Sequence, residues 1–174
     1  MDLPVTGPHL IREVHPDLAY QLGNLWLEVT RAGGAVDFPP DGPELDIRVA
    51  ANLEVVEVGA GRAHLLALGQ GDEVVGTVFV VPGRLAISAH RAEVRRLMVA
   101  PRLQGQGCGG RLLDAAVAHA RSLRMERLRL SARSGTGLPE FYAARGWTEV
   151  GRWPDGLLIG PGDHRDEVLF QREL

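Results

Sequence analysis

Apolar and polar positions alternate along this chain in two different rhythms. Leu18, Leu22, Leu25, Trp26 and Val29 recur at helical spacing and form one apolar face. They predict a helix over 15–30, opened by His15-Pro16-Asp17, with proline near the first turn where a missing N–H costs least. Gly33-Gly34 stops it. A short strand is expected before it, over 10–14. A loop over 35–43 carries Phe38-Pro39-Pro40 and Asp41-Gly42-Pro43, and a second helix follows over 44–56. Extended segments then take over. Strands over 63–68 and 74–81 flank Gly69-Gln70-Gly71-Asp72, a good hairpin connection. Pro82-Gly83 makes the next turn, with strands over 84–90 and 93–99 beyond it. A helix over 107–123 buries Leu112, Leu113, Ala116, Val117, Ala120 and Leu123. A strand over 127–132 and a short helix over 138–145, ended by Gly146, follow. Strands over 147–153 and 167–174, joined by a polar loop rich in Gly and Asp, close the chain.

The order β, α, α, a run of β, α, β, α, β, β predicts an α/β protein with one mixed sheet and helices on both faces. It excludes a dinucleotide-binding unit of regular βαβαβ repeats. No internal repeat or linker divides the chain, so one domain over 1–174 is expected.

Composition narrows the functional classes. The 174 residues are 45% apolar and 24% charged, ordinary for a soluble globular domain. A net charge of -3 gives no reason to expect nucleic acid or an anionic membrane as partner. Every basic residue is Arg. Cys108 is the only cysteine, so an intrachain disulfide and a cysteine metal site are excluded, and no metal is expected. The N-terminal segment lacks a secretory pattern and no apolar run reaches membrane length, so the expected location is the cytoplasm.

The densest chemical signal is Val99-Ala-Pro-Arg-Leu-Gln-Gly-Gln-Gly-Cys-Gly-Gly-Arg-Leu-Leu113, where a strand runs through four glycines among six residues into a helix. Glycine is used this densely where backbone must approach a ligand or adopt φ > 0. The first N–H groups of a helix lack intrahelical partners and carry the positive end of its dipole, so a phosphate cradle is expected here. The Lys-Ser/Thr pair of a nucleotide P-loop is absent. Gly105 to Gly110 fits Gly-x-Gly-x-x-Gly, but the strand over 127–132 has no acid to bind a ribose.

Gln104-Gly-Gln-Gly-Cys-Gly109 instead matches Gln/Arg-x-x-Gly-x-Gly, the acyl-coenzyme-A loop of the GNAT N-acetyltransferases. Glu93-Val-Arg-Arg-Leu-Met-Val-Ala-Pro101 resembles that family's fourth strand, and Phe141-Tyr-Ala-Ala-Arg-Gly-Trp147 resembles its Phe-Tyr-x-x-x-Gly-Phe element. Three motifs in order, within a likeness running from about His9 to Leu174, identify the chain as similar to this family. Ala32-Gly-Gly-Ala-Val-Asp-Phe38 and Asp166-Glu-Val-Leu-Phe170 further resemble the branch that includes the tabtoxin-resistance acetyltransferase.

The resemblance implies the GNAT fold, a mostly antiparallel mixed sheet of six to seven strands with its central strands splayed. It implies acetyl-CoA as co-substrate and a small primary amine as acceptor, joined by direct attack in a ternary complex; a homodimer is compatible with it. The coenzyme's pyrophosphate would lie on the amides of Gln104, Gly105, Gln106, Gly107, Cys108 and Gly109, with Gly110 and Arg111 beside them. Leu97, Met98 and Val99 would pair with pantetheine, and an amide near Leu97 or Met98 would polarise the thioester carbonyl. Tyr142 matches the tyrosine that protonates the departing thiolate. Glu93 is the candidate base, with His90 or a bound water as alternatives. Trp26, Asp37, Phe38 and Trp153, with Asp155, would wall the acceptor site.

Two positions depart from the resemblance. Leu130-Ser-Ala-Arg-Ser-Gly135 has Ser131 where the branch has an acid, and Gly135 where many members have an asparagine. These keep open a coenzyme-binding regulatory protein with little or no turnover.

Overall fold

In the computed structural model, which describes residues 3–174, the first apolar stripe forms the buried face of α1 (Leu18–Arg31), with Leu22, Leu25, Trp26 and Val29 inside. The other helices are α2 (Glu44–Gly59), α3 (Cys108–Ser122) and α4 (Leu138–Ala143). The strands are β1 (Val5–Leu10), β2 (His64–Gln70), β3 (Glu73–Pro82), β4 (Arg91–Val99), β5 (Arg127–Arg133), β6 (Thr148–Gly160) and β7 (Asp163–Glu173). They form one seven-stranded sheet in the order β1-β2-β3-β4-β5-β7-β6. Among the described residues only β4 and β5 pair in parallel; every other pair is antiparallel. Helices α1 and α2 cover one face. Helices α3 and α4 cover the other, where Leu112 and Leu113 are fully buried.

Three stretches differ from the sequence expectation. The first strand is 5–10 rather than 10–14. It adds to the edge of β2, with Val5 opposite Gln70 and Leu10 opposite Leu66. Pro8 is accommodated because this is an edge strand with a bulge between Thr6 and His9. Residues 84–90 are not a strand. Pro82 already faces Ala92, so they serve as the connection between β3 and β4, with a single 3₁₀ turn at Ala86–Ser88. Ile87 is 85% exposed there, since no element covers the apolar side. The polar loop expected between the last two strands is instead a long hairpin. Bulges between Trp153 and Leu157, and between Leu158 and Gly160, absorb the turn-like residues Pro154, Asp155 and Gly156 within β6.

The pairing of β4 with β5 is brief. It covers Arg91↔Arg127, Ala92↔Leu128 and Glu93↔Arg129, and stops. Beyond Glu93 the two strands diverge, while β4 keeps its pairing with β3 as far as Val99. Within this free stretch β4 is bulged: Arg96 and Leu97 have no register partner on β3, and Arg96 has φ 55. Thr77, fully buried, donates its hydroxyl to the Arg96 carbonyl at 3.2 Å and fixes the bulge from behind.

Candidate active site

Two clefts meet in the opening between β4 and β5. The larger, about 600 Å³, is lined by Leu97, Met98 and Val99 of β4, by Gln104, Gly105, Gly107, Gly109 and Gly110, and by Phe141 and Arg145 of α4 and its end. The smaller, about 220 Å³, is lined by Glu93 to Leu97, by Ser131 to Arg133 of β5, by Tyr142, and by Glu167 of β7. Both share Ala35, Val36, Leu97 and Leu138, so Leu97 stands at their junction.

The glycine loop presents its backbone to the larger cleft. Among the described residues, no amide from Gly105 to Gly110 donates to a protein acceptor; the first helical bond there is Arg111 N–H to the Gly107 carbonyl, at 3.1 Å. Gly105 (φ 74) and Gly107 (φ 80) are left-handed, with open space where a Cβ would stand, so backbone conformation rather than crowding calls for glycine. The loop is held from within: Gln104 donates its side-chain amide to the Val99 carbonyl at 3.0 Å, and Gln106 to the Arg102 carbonyl at 2.9 Å. A run of unpaired amides at a helix N-terminus is an anion site. Arg145 adds a cation. Its Cζ lies 3.9 Å from the centre of the Phe141 ring, its Nη2 would lie 3.1 Å from a Cβ on Gly110, and it enters no ion pair among the described residues. In the sequence Arg145 marks only a helix end; its place three residues after Tyr142 is the available signal.

Not every residue expected around the coenzyme belongs to this cradle. The Arg111 amide is used by the helix, and its side chain reaches away to the Gly7 carbonyl at 2.5 Å. The Cys108 side chain is buried in the core, so only its amide remains open to a ligand.

In the smaller cleft Glu93 is partly exposed, and Arg129 donates to its carboxylate at 2.8 Å. Arg95, two residues along β4, turns away to the buried Glu54 of α2, at 3.0 Å. Tyr142 is 5% exposed, among Phe141, Trp147 and Phe170. Burial pushes its phenol well above the ordinary range, so it keeps its proton at neutral pH. Ser131 lines this cleft too, where a carboxylate was expected from the resemblance.

The four expected acceptor residues divide. Asp37 and Phe38 line the cleft, Asp37 in an ion pair with Arg96. Trp26 does not: it is fully buried, donating its indole N–H to the Val36 carbonyl at 2.9 Å, so it supports the loop rather than facing a ligand. Trp153 is 65% exposed on the outer strand β6 and lines neither cleft. The long β6–β7 hairpin brings Leu157, Leu158, Ile159 and Glu167 to the cleft in its place, although the sequence predicts a loop over 157–159.

A sheet opened between its central parallel strands, with unpaired amides at the mouth, is the architecture of an acyl-coenzyme-A-dependent transferase. The acetyltransferase (GNAT) domain matches residues 47–153, and the chain belongs to that family of acetyl-CoA-dependent N-acetyltransferases. Solved structures have the same fold at low identity. A GNAT-family acetyltransferase from Streptococcus pneumoniae is 19% identical, with TM-score 0.76, 95% of this chain and 100% of that one covered. A ribosomal-protein-alanine N-acetyltransferase from Brucella melitensis is 18% identical, with TM-score 0.75 and 95% and 99% covered. The protein yncA from Salmonella typhimurium, solved with its cofactor acetyl-CoA, is 17% identical, with TM-score 0.74 and 98% and 94% covered. Among the described residues no helix is long and apolar enough to cross a membrane.

Proposed function

We propose that this protein moves the acetyl group of acetyl-CoA onto the primary amine of a small molecule, by direct attack with both substrates bound. The observation that carries this reading is the junction at Leu97. Unpaired amides and Arg145 lie on one side of it, and Glu93 and Tyr142 lie on the other. Pyrophosphate would rest on the amides of Gly105 to Gly110, and pantetheine along Leu97 to Val99. A cavity of about 220 Å³ suits a small acceptor, since drug-sized ligands occupy roughly 300 Å³ or more.

An alkylammonium has a pKa near ~10 and cannot attack until it loses a proton. Glu93, directly or through water, takes that proton. The amine lone pair then forms the C–N bond at the thioester carbonyl, whose oxygen is stabilised by an amide at the β4 bulge. The C–S bond breaks, and the thiolate takes the proton of the Tyr142 phenol. The second amine proton restores the phenol, directly or through solvent. No step passes through Cys108, which is buried in the core.

On this reading the protein works in the cytoplasm, as a monomer or a homodimer. The second reading, a coenzyme-binding regulator without turnover, is favoured by one observation: Arg129 already holds the proposed base. Release of free coenzyme A from acetyl-CoA, measured across a panel of small primary amines, separates the two. The expected result is turnover with at least one amine, lowered about 10²-fold or more in Glu93→Gln. Tight acetyl-CoA binding with no turnover on any amine would leave the regulator.

A further inference from the structure

Arg133 and Glu167 stand directly opposite each other on β5 and β7, both lining the smaller cleft. Opposite charges so placed ordinarily pair across strands. These do not. Arg133 donates its Nη2 to the Gly33 carbonyl at 2.8 Å, and neither residue enters an ion pair among the described residues. Every other charged side chain of this cleft is matched: Arg95 with Glu54, Arg96 with Asp37 and Glu54, Glu93 with Arg129. The nearby Arg165 is matched as well, by Asp163 at 2.5 Å. Burial, then the charge of Arg165, pushes the Arg133 pKa down, while the neighbouring Asp163 carboxylate acts in the opposite direction.

The two unmatched charges share a cleft with Leu97, beside which the thioester lies on the acetyl-transfer reading. From the Glu93–Arg129 pair, Leu97 is four residues further along β4 and Arg133 four residues further along β5. Leu97 and Arg133 both line the smaller cleft, one on each of the two diverging strands. The surface between them is apolar, from Val36, Phe38, Leu138 and Leu157.

We infer that the acceptor is a small zwitterion, whose anionic group is held by Arg133 and whose ammonium is received by Glu167. A guanidinium offers a planar fork that fits a carboxylate, and several of its donors remain free here. Glu167 would receive the ammonium, and Glu93 would take its proton through bound water. The inference rests on the acetyl-transfer reading for its reaction, but it predicts binding in its own right.

The test uses the whole protein with acetyl-CoA. The twenty standard L-amino acids are compared with their carboxamides, which keep the amine and lose the anion. Coenzyme A release gives turnover, and thermal shift gives binding independently. The expected result is that the preferred amino acid exceeds its carboxamide about tenfold or more in kcat/KM. Arg133→Met should erase that preference by raising KM, Arg133→Lys should restore part of it, and both variants should keep wild-type acetyl-CoA affinity as proof of folding. Glu167→Gln should raise KM for amino acids and carboxamides alike. Equal or better turnover of the carboxamides overturns the zwitterion and leaves acetyl transfer standing. Thermal stabilisation by amino acids that depends on Arg133, without turnover, keeps the zwitterion site and removes these amino acids as acetyl acceptors. Neither turnover nor Arg133-dependent stabilisation overturns the inference.

Discussion

The guanidinium of Arg96 lies over the ring of Trp26, its Cζ 4.8 Å from the ring centre. The same side chain pairs with Asp37 and, at 3.4 Å, with the buried Glu54. Three elements, α1, α2 and the loop between them, therefore converge on the residue that carries the left-handed backbone of the β4 bulge. The bulge decides where Leu97 points, and Leu97 stands between the two clefts. Arg96→Ala should remove the cation–π contact and leave Glu54 with Arg95 alone. The expected cost is about 2–3 kcal/mol, below the full penalty of orphaning a buried charge because one partner remains. Thermal unfolding measures this. Glu54→Gln, which removes the buried charge itself, should cost less than Arg96→Ala. The reverse order would show that Arg96 does not carry the network.

Gly107 separates conformational demand from space. Nothing would crowd a Cβ there, yet its φ is 80. A non-glycine residue in left-handed backbone costs roughly 1–2 kcal/mol. Gly107→Ala should relieve that strain by turning the loop, at the expense of amides aimed into the cleft. Acetyl-CoA affinity, read by calorimetry, should fall about tenfold, while Gly109→Ala, with ordinary φ and a contact of 3.7 Å to Phe141, should change it far less. Equal effects at both positions would mean that the loop is read through its surface and not through its backbone.

These two sites show what the sequence made legible. The glycine loop was readable because its backbone requirement is local: four glycines before a helix announce φ > 0 and close approach without reference to the rest of the fold. That Glu93 and Tyr142 would share a cleft was readable because motif order fixes them relative to that loop. Arg133 and Glu167 were not, since their meaning depends on a strand register 34 residues apart in sequence, set by pairing of β5 with β7. Trp26 was misplaced for a related reason. An aromatic on an apolar stripe and an aromatic lining a pocket look alike until the Val36 carbonyl is found bonded to its indole. The strand misassigned over 84–90 had suitable residues but no neighbour to pair with.

The ring of His64 on β2 lies 4.9 Å from that of His119 on α3, and the His119 Nε2 is buried without a partner. Burial pushes both pKa values below the ordinary 6.5, and for His119 the neighbouring His64 and Arg12 add to it. The folded state therefore takes up protons less readily than the unfolded chain. Stability is complete above pH 6.5, begins to fall as pH drops through that value, and stops falling below the folded pKa values. The thermal midpoint should be lower at pH 5 than at pH 8, and His119→Gln should shrink the difference. An unchanged pH dependence in that variant would exclude the pair as its source.

Tyr142 gives the sharpest separation of chemistry from structure. Its ring packs against Phe141, Trp147 and Phe170 with centroids 5.2, 6.1 and 5.9 Å away, contacts that phenylalanine would keep. Tyr142→Phe should therefore fold with little loss of stability and bind acetyl-CoA within about twofold of wild type. If the phenol protonates the leaving thiolate, kcat should fall about 10²-fold, the lower range of what a positioned acid supplies. Because burial holds the phenol above its usual range, wild-type kcat should show no decline from Tyr142 ionisation between pH 8 and pH 10. A Tyr142→Phe enzyme with unchanged kcat would remove the tyrosine as acid. The proton would then have to come from water entering the opening between β4 and β5.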